Sequence, residues 1–150
     1  MSHAAAPQDI PRPGDRIAPR KSALVQFTSL TLRLEAFCVL FAAVALYGLR
    51  DSSDEKGPVE ISEPTLIWVV GGVLFVVLLV LARLTSKPAG VAGGTVAQVL
   101  VIATGLALPM MYVVGAVFVI MWAASLRIGA RVDRERREYD AAHPETAPNA

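Results

Sequence analysis

Apolar residues in this chain come in long uninterrupted blocks, without the alternation or the every-third-or-fourth spacing of a half-buried element. No Asp, Glu, Lys, Arg or His lies between Leu66 and Ala82, and none lies between Gly90 and Leu126. A helix on the surface of a soluble domain carries a polar face. A helix that crosses a bilayer needs instead about 20 predominantly apolar residues. The blocks therefore predict membrane spans. The first covers about residues 30–49 and ends in "FCVLFAAVALYGL". A weaker apolar lead-in, "ALVQFTSL", precedes it and is expected at the membrane interface. The second is "TLIWVVGGVLFVVLLVLARL", about residues 65–84.

The last block, from Val91 to Leu126, is too long for one span. As a straight helix it would reach about 54 Å at 1.5 Å per residue, against a hydrocarbon core of about 30 Å. The tilt needed exceeds the observed limit of about 40°. Gly105 and Pro109 lie mid-block in "TGLALPMM". Pro109 has no backbone N–H and disfavours helix at Leu108. The block thus divides into a third span, about 92–108, and a fourth, about 110–127.

Charge placement supports four spans. Arg12, Arg16, Arg20 and Lys21 precede the first, Arg83 and Lys87 flank the turn after the second, and Arg127, Arg131, Arg134, Arg136 and Arg137 follow the fourth. The loop at 50–64 is acidic, with Asp51, Asp54, Glu55, Glu60 and Glu63. Lys and Arg bias short loops to the cytoplasm, and four spans put every basic cluster there. The expectation is an all-α, integral membrane four-helix bundle over residues 23–138. It should sit in the cell inner (plasma) membrane with both termini cytoplasmic. Residues 1–22 and 139–150 are Pro- and Ala-rich and are expected as disordered tails. Between them, "RIGARVDRERREYD" continues the fourth helix, with Arg131–Glu135, Asp133–Arg137 and Arg134–Glu138 spaced as i,i+4 pairs. Such a charged end anchors topology. It could also meet anionic lipid headgroups or a cytoplasmic partner, although the interleaved acids dilute that attraction.

Composition narrows the chemistry. The chain is 54% hydrophobic with a net charge of +1, so no field favours nucleic acid. Cys38 is the single cysteine, and His3 and His143 lie far apart. No metal site is expected from them. The "GGT" at 93–95 lacks the rest of a phosphate loop, and no nucleophile elbow occurs. Neither a cofactor nor an enzymatic activity is expected.

The polar residues inside the spans are few. Glu35 lies about 8 Å inside the core by helix rise. Arg33 is nearer the edge and can snorkel. Thr31, Leu32, Cys38 and Val39 share the face of Glu35, and none neutralises it. It must meet a partner from another helix or carry a proton. At the same depth lie Thr95 and Gln98 of the third span, Arg83 of the second, and Ser125 and Arg127 of the fourth. These six residues with Glu35 counted form one expected intramembrane polar cluster. Trp68 and Tyr112 fall near the outer surface and Trp122 toward the inner one, where aromatic anchors gather. Two functions fit. The first is a structural, scaffold or partner-binding membrane component, since interhelical hydrogen bonds hold bundles together. The alternative is a small oligomeric transporter with Glu35 as its ion- or proton-coupling carboxylate. Expected partners are membrane lipid and a second copy or another membrane protein.

"LRLEAF" in the first span and "AQVLVIATGLALPMMYVVGAVFVIMWAASLRIGARVDRER" across the last two resemble a family of small actinobacterial integral membrane proteins. That family is classed as a domain of unknown function. The likeness covers about residues 27–137 and implies four spans, with no activity attached.

Overall fold

The structure is a computed structural model and describes residues 16–51, 57–61 and 63–149. The described residues hold four α-helices and no strand: α1 (Ala23–Leu49), α2 (Pro64–Leu84), α3 (Pro88–Ala103) and α4 (Met110–Ala142). A 3-10 turn, Thr104–Leu106, prolongs α3. Each helix, α3 with its 3-10 turn included, is long and apolar enough to cross a membrane. The chain is an all-α, multi-pass membrane protein.

Local chemistry places the helix ends. Pro64 and Pro88 occupy the first turn of α2 and α3, where a missing N–H costs nothing. The break before Pro109 tightens into 3-10 geometry, and the amides of Ala107 and Leu108 both donate to the Thr104 carbonyl. Three boundaries differ from those expected. The lead-in "ALVQFTSL" is the first part of α1, because an amphipathic stretch continuous with a span needs no break. Helix α3 starts at Pro88 and runs through Gly93 and Gly94. Helix α4 runs on to Ala142, past 138, and at 33 residues is about 50 Å long.

The helices pack antiparallel. α1 lies between α2 and α4, and α3 touches it across the short diagonal; α2 and α4 sit at the far corners. Both tails and the α2–α3 turn share one end, the tail end; the other two connections form the loop end. Each helix turns a narrow stripe inward: Leu32, Ala36, Val39 and Ala43 on α1, and Ile67, Gly71, Leu74, Leu78 and Ala82 on α2. Small residues set the α1–α2 approach, since a Cβ on Gly71 would lie 2.6 Å from that of Ala43. Outward surfaces remain apolar, with Phe41 68% and Ile120 69% exposed. Such faces suit lipid and not water.

Both ends of the bundle are tied. At the loop end the Gly57 and Val59 amides donate to the carbonyls of Ala107 and Leu106, at 3.2 and 2.9 Å. At the tail end Asp133 of α4 caps α1. Its carboxylate accepts from the Ser22 hydroxyl, from Ala23 N at 2.6 Å and from Leu24 N at 3.1 Å. Three donors that an α1 terminus would otherwise leave unsatisfied outbid the expected pairing with Arg137. Of the three i,i+4 pairs, Arg131–Glu135 closes, at 2.7 Å. Of the stretches expected as disordered tails, residues 1–15 and 150 lie outside the described residues. In the remainder, Ile17 N donates to Asn149 Oδ1 at 2.8 Å, and Asn149 N to Ile17 O at 3.1 Å.

Two outcomes test this packing. Burial pushes the Asp133 carboxyl up, but the Ser22 hydroxyl and the Ala23 and Leu24 amides, with Arg136 nearby, hold it below the ordinary aspartate range. A depressed folded value means the cap is fully stabilising above the unfolded pKa and is lost as pH falls through the folded one. Asp133→Ala should cost about 0.5–2 kcal/mol at neutral pH and flatten this acid-side loss, read by thermal unfolding in micelles against pH. At Gly129 a Cβ would meet the Leu24 backbone, whereas at Gly72 nothing stands within 4 Å. Gly129→Leu should destabilise by about 1–3 kcal/mol. Gly72→Ala should be neutral or stabilising by up to about 1 kcal/mol, in the same assay.

Candidate functional site

Polar side chains meet inside the bundle at one level, in its tail-end half. The buried stripe of α1 passes through Thr28, Thr31, Leu32 and Glu35. That of α3 passes through Gly94, Ala97, Gln98 and Val101. Glu35 and Gln98 therefore face each other across the diagonal, 0% and 4% exposed. Gln98 Nε2 donates to Glu35 Oε2 at 2.7 Å. Two further bonds tie α4 to this pair of helices. Thr31 Oγ1 and Ser125 Oγ lie 2.9 Å apart between α1 and α4. Trp122 Nε1 donates to Thr95 Oγ1 at 3.1 Å between α4 and α3.

Trp122 is not the interfacial anchor expected of it. It is 3% exposed and belongs to the core. The inward stripe of α4 runs Met111, Gly115, Phe118, Trp122 and Gly129, so the indole points at α3. Gly94 gives it room, because a Cβ there would stand 2.5 Å from the ring. The spacing of that stripe was the available signal in the sequence. The Asp133 cap left none, since it joins residues 110 apart.

Arg83 and Arg127 do not join the cluster. Both are exposed and hold no hydrogen bond or ion pair among the described residues. Arg83 follows Ala82, the last inward position of α2, and so lies beside the stripe. Turning either guanidinium inward would trade headgroup solvation for hydrocarbon. The hydroxyls offer Glu35 nothing either. Thr28, Thr31, Thr95 and Thr104 donate to their own helix backbones, to Leu24, Phe27, Val91 and Val101. As a result Glu35 Oε1 and Gln98 Oε1 are both buried without a partner.

Two clefts flank the cluster. An apolar one of about 600 Å³ lies in the loop-end half, between Val39, Ala43, Leu100 and Leu108, with Val59 and Ile61 above it. Neither Glu35 nor Gln98 lines it. A polar one of about 530 Å³ lies at the tail end, where Arg20, Lys21, Arg136 and Arg137 stand beside Asp133 and Glu135. No three of His, Cys, Asp and Glu among the described residues gather as a metal site would require.

No curated protein matches the chain. No solved structure matches it. A family described as a protein of unknown function, DUF4233, matches over residues 26–138, which takes in α2 and α3 whole, all but the outer ends of α1 and α4, and the polar level they enclose. By that match, over most of its length, the chain belongs to the DUF4233 family.

Proposed function

We propose that this protein is a structural, scaffold or partner-binding component of the inner membrane, with no enzymatic activity, and that its tail end faces the cytoplasm. One observation carries the structural reading: Glu35 is wholly buried, tied to Gln98 across the diagonal, and reached by neither cleft. A coupling carboxylate must exchange its ion with one side of the membrane, and sealed apolar packing opposes that. A tie between helices needs only burial. The apolar faces of α2 and α4, at the far corners, are free to meet a second copy or another membrane protein. The basic residues of the tail-end cleft would lie at headgroup level, where anionic lipid is the complementary chemistry. The same residues support the orientation, by the bias of Lys and Arg to the cytoplasm.

The second reading, a small oligomeric transporter coupled through Glu35, draws on the unpartnered Oε1 of that residue. The two readings part on one pair of variants. For a structural tie, Glu35→Gln is nearly neutral because an amide keeps the contact with Gln98. Glu35→Leu then lowers bundle stability by about 1 kcal/mol, measured by unfolding in micelles. For a transporter, Glu35→Gln leaves the fold intact and abolishes proton-driven uptake into vesicles that the wild type supports. Such uptake, lost in Glu35→Gln, would replace the first reading by the second. Orientation has its own test. Reporter fusions after residue 88 and at the C-terminus should read as cytoplasmic, and one after residue 55 as external. An external C-terminus would overturn the assignment.

A further inference from the structure

We infer that Glu35 is a proton-binding site whose resident form is the neutral acid, closing a two-bond ring with the Gln98 carboxamide. The pair presents three buried oxygens, Glu35 Oε1, Glu35 Oε2 and Gln98 Oε1. The single donor seen between the groups, Gln98 Nε2, serves Oε2. The other two oxygens have none. Each such buried acceptor costs free energy that a membrane interior cannot return through water. One proton on Glu35 Oε1 turns an acceptor into a donor, and the acceptor it then needs is Gln98 Oε1. Both unmet atoms are satisfied by that single step, in which a carboxylate gains one proton and the buried charge disappears.

The alternatives fail on the same count. Exchanging the oxygen and nitrogen of the Gln98 amide would set its oxygen against Oε2, and a proton would again be required. A cation of the protein would have to come from Arg33 on α1, Arg83 on α2 or Arg127 on α4. All three are exposed, and α3 has no charged residue. Cys38, the other titratable group nearby, has only a weak S–H donor and does not serve Glu35 Oε1, which has no hydrogen-bond partner. A hard metal ion needs about six oxygens, and among the described residues this level offers two unpartnered buried side-chain oxygens, Glu35 Oε1 and Gln98 Oε1. The inference is independent of the role proposed above, since an acid–amide ring can tie a static bundle or load a transporter.

The test uses the full chain in lipid bilayers, with carbon-13 at the glutamate side-chain carboxyls, observed at neutral pH by infrared and solid-state NMR. Of the chain's seven glutamates, Glu60, Glu63, Glu135, Glu138 and Glu145 are exposed. One further glutamate should give a hydrogen-bonded carboxylic acid signal, absent from Glu35→Gln. In Gln98→Leu the acid carbonyl stretch should move to higher frequency as its bonds to the amide are lost. A wild-type spectrum with carboxylates alone overturns the inference, and needs no variant to fold. An acid signal that survives Glu35→Gln, or a stretch unmoved by Gln98→Leu, overturns it equally.

Discussion

A carboxyl group placed in hydrocarbon cannot be left to solvent, and the arrangement of this bundle follows from where Glu35 finds its partner. The bond to Gln98 joins the two helices that lie across the short diagonal. That contact draws α3 in toward α1 and leaves α2 and α4 apart. The two companion bonds, Thr31–Ser125 and Trp122–Thr95, then fix α4 against both. Helix α2 takes no part in this polar level. It is held by apolar packing, through Gly71 against Ala43, the leucines of its inward stripe and the Phe37–Phe75 and Tyr47–Trp68 ring pairs. Within a membrane, packing of that kind is a main source of helix association.

Most of the architecture can be read from uncharged stretches, because the bilayer demands their length and nothing in water imitates it. The split of the last block was legible for the same reason, since Pro109 cannot continue the ladder and a single helix would be too long. Helix ends were less legible. Pro88 starts α3 ahead of the span expected from about 92, and Gly93 and Gly94 lie inside the helix. Their purpose is visible only against Leu81 and Trp122, whose side chains fill the space a Cβ would take. At the polar level, depth along each helix brought Glu35 and Gln98 to the same height. Depth alone says nothing of rotation about the helix axis. Arg83 and Arg127 have the right height and the wrong azimuth, and Trp122 was assigned by height when its stripe pointed inward.

The two ends of the bundle are joined by different means. At the loop end, backbone amides of 57 and 59 meet carbonyls that the end of the 3-10 turn leaves open. At the tail end, a side chain of α4 serves the open amides of α1. Each junction satisfies groups exposed by one helical hairpin with groups from the other. The hairpins therefore hold one another at top and bottom, and the polar level needs to fix only their spacing in between.

The partners at that level are made at different times. Sixty-three residues separate Glu35 from Gln98, and the whole of α2 is synthesised between them. When α1 first enters the bilayer, the amide that will receive its carboxyl has not yet been built. The first hairpin must wait in the membrane with an unmet polar group, which disfavours its settling alone and favours capture of the second. Order of synthesis thereby becomes a force for assembly. A chain broken after α2 would carry into the membrane a carboxyl that nothing on its own hairpin can receive.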